Sequence, residues 1–170
     1  MAAAPDAADE ALILAFAERA AHSGWRQAEL ARFCRERGVG AAEQKARWPR
    51  GVRSVAWELN AIADRKTARR FTNAGAGFEQ LIMDRFEQNR GLKRSVRRLA
   101  WSDLFHPVGT LRRTGRTAKV MLACRGRDAG AVRLTLVYSA TVLVWLADRT
   151  PDERRTRRAT RWLLALVGLR

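Results

Sequence analysis

The residue types that do chemistry are few in this chain, and they are badly spaced for it. Cys34 and Cys124 lie far apart, no CxxC occurs, and only His22 and His106 could join them as soft ligands. A zinc site draws its ligands from closely spaced Cys and His, so no metal site is expected. Two reduced thiols are the simpler reading. The phosphate-cradling GxxxxGK[ST], the dinucleotide GxGxxG, the metalloprotease HExxH and the nucleophile-elbow GxSxG are all absent. The adjacent acids Asp152 and Glu153 face different sides of a helix, which suits first-turn charges and not a general acid/base pair. No catalytic residue and no cofactor are expected, and the chain does not read as an enzyme.

Positive charge is what the chain has in excess. Lys+Arg number 33 against 17 Asp+Glu, a formal net charge of +16. Arg149, Arg154, Arg155, Arg157, Arg158 and Arg161 crowd the last predicted helix and its entry. Such a run suits an anionic membrane surface, nucleic acid, or a solvated arginine face. A second basic group is Lys45, Arg47 and Arg50. It would supply phosphate contacts if the short helix carrying it entered a DNA groove. Its neighbours Ala41, Ala42 and Ala46 offer little that reads a base edge.

The elements that must position these residues are helical from end to end. A length of 170 residues fits a single domain, 1–170, and 47% hydrophobic with 29% charged residues fits a folded chain. Leu134 to Ala147 is the long uncharged run, and its 14 residues fall short of the roughly 20 that span a bilayer. The start, MAAAPDAADE, carries acids where a signal or transit peptide has bases, so a cytoplasmic protein is expected. Apolar residues at helical spacing predict helices over Asp9–Ala21, Gln27–Arg37, Ala41–Arg47 and from Val52 to about Phe71. Phe78, Leu81, Ile82 and Phe86 mark the next, and Leu92, Val96, Leu99 and Ala100 another. His106-Pro107 opens a helix reaching Arg125-Gly126. Leu134–Ala147 is apolar all round and reads as a buried helix, in preference to a strand. Thr150-Pro151-Asp152 starts the last helix, which runs to Gly168. The count is about nine helices and no repeat, an all-α domain.

Two known patterns overlay this layout. Residues 28–49, AELARFCRERGVGAAEQKARWP, resemble the TetR-type helix-turn-helix, with Gly38-Val39 at the turn and Trp48-Pro49 closing it. Downstream, Leu136 to Leu146, LVYSATVLVWL, with Asp148, Thr150, Pro151 and Asp152 in the turn that follows, resembles the Coq nine family of ubiquinone-biosynthesis accessory proteins. Arg116-Thr117-Ala118 with Met121 and Gly126, Trp48-Pro49-Arg50-Gly51 with Ala63-Asp64-Arg65-Lys66, and Gly24-Trp25 match that family's remaining motifs in order. Lys119 and Leu122 depart from it, standing where the family has Asp and Trp. Arg157 stands where an aromatic is usual, and the family's Asp-Phe-Asn-Trp-Tyr segment has no counterpart in Asp128 to Arg133.

The resemblance implies a TetR-like bundle, with 1–50 as the helix-turn-helix portion and 51–170 as lipid-binding and dimerisation helices. It implies a non-enzymatic protein that holds an isoprenoid quinone intermediate in an apolar cavity. That lipid would be presented to a membrane-bound di-iron hydroxylase of ubiquinone biosynthesis. The expected cavity wall is Leu81, Phe86, Met121, Tyr138, Leu143 and Trp145, and the expected hydroxylase contacts are His106 and Leu111. Arg154, Arg158, Arg161 and Trp162 are expected at an anionic membrane, making the protein peripherally membrane-associated. A homodimer through Leu134–Ala147 and Thr156–Leu169 is also expected. The alternative from another class is a TetR-type DNA-binding transcriptional regulator using Lys45, Arg47 and Arg50.

Overall fold

The computed structural model describes residues 7–72, 75–103, 107–127 and 129–169. Among them are nine α-helices, one short 3-10 turn at Arg90–Leu92, and no strand. The helices are α1 (Ala7–Ser23), α2 (Gln27–Glu36), α3 (Ala41–Arg47), α4 (Val52–Phe71), α5 (Phe78–Gln88), α6 (Lys93–Asp103), α7 (Pro107–Cys124), α8 (Ala131–Ala147) and α9 (Arg154–Leu166). The all-α expectation of about nine helices is met, and α3 and α4 have the bounds that periodicity gives them.

The chain groups into two compact units, each made of two segments: 1–62 with 92–105, and 63–91 with 106–170. The division falls inside α4, after Ile62, and not near residue 50 where the sequence motifs change.

In the first unit α1 packs on α2 and α6, and α2 on α3. Its core gathers Ile13, Phe16 and Ala20 of α1, Leu30 and Phe33 of α2, and Val55, Leu59 and Ile62 of α4. Phe16 meets Trp25 edge-on, with ring centroids 5.4 Å apart. The Trp25 indole N–H is buried, and it donates to the Ser95 carbonyl oxygen of α6 at 3.0 Å. A buried indole needs such a partner, so this bond ties the α1–α2 corner to α6.

The α2–α3 corner is made by Gly38, whose φ is +74°. Most L residues avoid that conformation, and glycine adopts it freely. The Val39 N–H then donates to the Cys34 carbonyl oxygen at 2.9 Å, and its side chain is buried.

In the second unit α7 packs on α8, and α9 packs on α8 and α5. α9 is started by Asp148. One carboxylate oxygen accepts from the Thr150 N–H and hydroxyl, the other from the Thr156 N–H and hydroxyl, at 2.7–2.9 Å. Of these four donors the Thr156 N–H is one of the first-turn amides that a helix start leaves open, and the Arg154 N–H donates to the Thr150 hydroxyl at 3.1 Å. The residue before α9, Glu153, has φ +54°, and its carboxylate accepts the Trp145 indole N–H at 2.9 Å.

Candidate functional site

The expected cavity wall separates into five buried residues and one exposed one. Leu81, Phe86, Met121, Tyr138 and Trp145 are all buried. The Phe86 ring stacks on Trp145 at 4.9 Å and lies near-parallel to Tyr138 at 6.0 Å. The three rings pack against one another in the interior of the second unit. Neither of the two depressions described on this unit is lined by any of the six.

Leu143 is the correction, being 63% exposed. The buried stripe of α8 runs through Leu134, Val137, Tyr138, Thr141 and Trp145. Leu143 is five residues past Tyr138, roughly 140° round the helix at 3.6 residues per turn. An all-apolar sequence hides which side faces out, and burial all round was the wrong inference from it.

Of the expected hydroxylase contacts, His106 lies outside the described residues and Leu111 is exposed on α7. The Ser139 hydroxyl on α8 donates to the Thr114 hydroxyl on α7 at 3.0 Å. One turn back along α7 from Thr114 is Leu111, and one turn on along α8 from Ser139 is Leu143. In this antiparallel pair the two exposed leucines therefore stand at the same level.

The expected membrane set is partly engaged elsewhere. Arg154 pairs with Asp152, and Arg161 Nε donates to both Glu79 carboxylate oxygens at 2.8 and 2.9 Å. Arg158 has no acid partner among the described residues, and neither does Arg155 beside it. Trp162 stands 64% exposed on the same face.

Lys45 and Arg50, expected to contact DNA in the alternative reading, are exposed. Arg47 is held by Asp9 and by Glu43, the latter at 2.7 Å. That double pairing competes with any phosphate for its guanidinium.

The structure also brings together groups that sequence reasoning passed over. Arg85 and Asp64, 1% and 3% exposed, form an ion pair at 3.2 Å. The Thr117 hydroxyl donates to the same Asp64 oxygen at 2.9 Å, and Arg116 approaches the other at 4.0 Å. Burial pushes the Asp64 carboxyl above its ordinary pKa, against the pull of Arg85 and Thr117. Burial likewise raises the Tyr138 phenol, with Arg85 opposing. A signal existed in the sequence: Arg85 occupies the i+7 position of the Phe78, Leu81, Ile82, Phe86 stripe, where solvated charges do not belong.

Burial raises both thiols, Cys34 and Cys124, away from reactivity. Among the described residues no cluster of His, Cys, Asp and Glu could hold a metal ion, and no helix is long and apolar enough to cross a membrane.

No protein-family model matches the chain, and neither a curated protein nor a solved structure is significantly similar to it.

Proposed function

We propose that this is a non-enzymatic lipid-handling accessory protein of the Coq nine type. It would hold an isoprenoid quinone intermediate and offer it to a membrane-bound di-iron hydroxylase of ubiquinone biosynthesis, working as a peripheral membrane protein. The hydroxylation chemistry would belong to the partner. One observation carries this reading beside the sequence resemblance: among the described residues, seven of the nine exposed large hydrophobic side chains lie on α7, α8 and α9. Such a concentration marks a surface that meets lipid or another protein. Leu111 and Leu143 are exposed, so the lipid tail is assigned to the outer α7–α8 face that carries them.

The test is mass spectrometry of organic extracts of the purified protein. An isoprenoid quinone or its precursor should co-purify, and Leu111→Asp with Leu143→Asp should deplete it while helicity stays unchanged. A lipid-free protein, or undiminished lipid in the double variant, would overturn the assignment.

The exposed Lys45 and Arg50 beside the Gly38 corner favour a second reading, a TetR-type regulator. Its test is a gel shift on random-sequence and genomic duplexes at a stated salt concentration. Sequence-selective retention lost in Lys45→Glu would replace the lipid reading, because phosphate contacts alone select no sequence.

A further inference from the structure

One face of α6 takes no part in either function considered above. The helix, KRSVRRLAWSD, carries four bases and a single acid. Leu92 before it and Leu99 within it pack on the core of the first unit, and Ser95 is buried. Arg94, Arg98 and Trp101 stand at i, i+4 and i+7, so they share the opposite, exposed side. The acid, Asp103, falls by register about 140° round the helix from Arg98.

The α1–α2 corner adds a further base to this side. Gly24, with φ +84°, has no side chain, and the point where its Cβ would stand is 3.8 Å from Arg98 Nη1 and 4.0 Å from Arg26 Nε. The two guanidinium groups therefore close on one bare stretch of backbone. The bond from the Trp25 indole to Ser95 keeps the corner and α6 in this relation. Arg26, Arg94 and Arg98 make no ion pair among the described residues, and the acids of α2, Glu29 and Glu36, are engaged by Arg19. Like charges held this close repel one another, and an anion between them removes that cost.

Trp101 indicates which anion. Its ring is 66% exposed, and among the described residues of the first unit the other exposed large apolar side chain is Trp57, at 38%. A bilayer contact needs a broader apolar face than one ring. An acidic peptide would answer the arginines and leave the indole without a partner. A duplex keeps its base faces inside the stack. A single strand answers both features, with phosphates for the arginines and an open base face for the ring.

We propose that this face of α6, together with the Gly24 corner, binds single-stranded nucleic acid. One phosphate sits between Arg26 and Arg98, a second at Arg94, and a base stacks on Trp101. Phosphate contacts and stacking do not read base edges, so the binding is indifferent to sequence. This is a further activity, independent of lipid handling, and it uses neither Lys45 nor Arg50 of the regulator reading.

Fluorescence anisotropy of the full chain with a labelled oligothymidylate tests it, at about 12 nucleotides, within the site sizes of single-strand binders. Binding should weaken as salt rises, and the log–log slope should flatten by about 0.7 for each phosphate contact removed. Arg94→Ala with Arg98→Ala should flatten it in this way. Trp101→Ala should weaken single-strand binding by about fivefold or more, and Trp101→Phe should restore most of the loss. Affinity for a duplex of the same length should not respond to Trp101→Ala. Arg155→Ala with Arg158→Ala, the same charge lost from α9, should cost far less, and so should Lys45→Ala with Arg50→Ala. All these positions are exposed, and circular dichroism should show unchanged helicity in every variant.

No binding at low salt, an equal loss in either control pair, or a single-strand affinity unmoved by Trp101→Ala would each overturn the proposal. Displacement by polyglutamate as readily as by unlabelled oligonucleotide of equal charge would make the face a dock for acidic peptides and overturn it too. Sedimentation with phosphatidylglycerol vesicles that is lost in Trp101→Ala would assign the face to a membrane, with the same consequence. Lipid extraction is read separately, and none of these outcomes bears on it.

Discussion

The Phe86 ring lies 4.9 Å from that of Trp145 and within 7° of parallel. Both rings are buried, so their contact contributes cohesion. Phe86→Ala should lower unfolding free energy by about 3–5 kcal/mol through lost transfer energy and an unfilled void. Urea titration checks this, with the midpoint falling and the slope unchanged. A loss under about 1 kcal/mol would mean that the rings do not fill a close-packed core.

Asp148 makes a pH prediction. Burial alone would raise its carboxyl, but the donors from Thr150 and Thr156 outweigh burial and hold it well below the ordinary carboxylate range. A depressed folded pKa contributes stability that is fully present above the unfolded value of about 3.9 and is lost as pH falls through the folded one. The wild type should therefore be more stable than Asp148→Asn by a constant margin above about pH 5, and the margin should shrink below about pH 4. Thermal melts across that range measure it. Asp148→Ala should cost about 1–3 kcal/mol at neutral pH, from the lost cap and the buried donors left behind.

The buried Arg85–Asp64 pair answers to a double-mutant cycle. Asp64→Leu alone leaves a buried guanidinium short of charge, and Arg85→Met alone leaves a buried carboxylate; each should cost about 3–5 kcal/mol. The double variant should recover much of that loss, because desolvation of the two charges disappears with them. Additive losses would show that the two residues do not act as a pair.

Gly38 tests a backbone argument free of packing. Nothing lies within 4 Å of where its Cβ would be, so only the left-handed φ resists a side chain. Gly38→Ala should cost about 1–2 kcal/mol, and Gly38→Asn less, since Asn tolerates this region. Chemical denaturation distinguishes the two, and equal costs would defeat the argument.

The helices themselves were legible in the sequence because helix signals are local. Pro107 and Gly38 mark ends, and the spacing of Val52, Val55, Ala56, Leu59 and Ala63 draws out α4. The inner face of α8 was legible only in part. Tyr138 and Trp145 fall on the buried stripe, but in an uncharged run nothing local distinguishes Leu143, which faces out, from Leu146, which faces in. The acid partners of the expected basic set were not legible either. Sequence counts arginines on α9, yet Glu79, far off on α5, takes Arg161 and leaves Arg155 and Arg158 without acid partners among the described residues.

Sequence by itself therefore determined the all-helical class, the excess of positive charge and the turn at Gly38, since each depends on composition or on residues within a turn or two. Tertiary structure alone decided that Phe86 stacks on Trp145, that Asp64 and Arg85 are buried together, and that Arg26 and Arg98 close on Gly24. Burial and charge pairing are relations between residues distant in the chain, and a linear pattern carries no record of which of them meet.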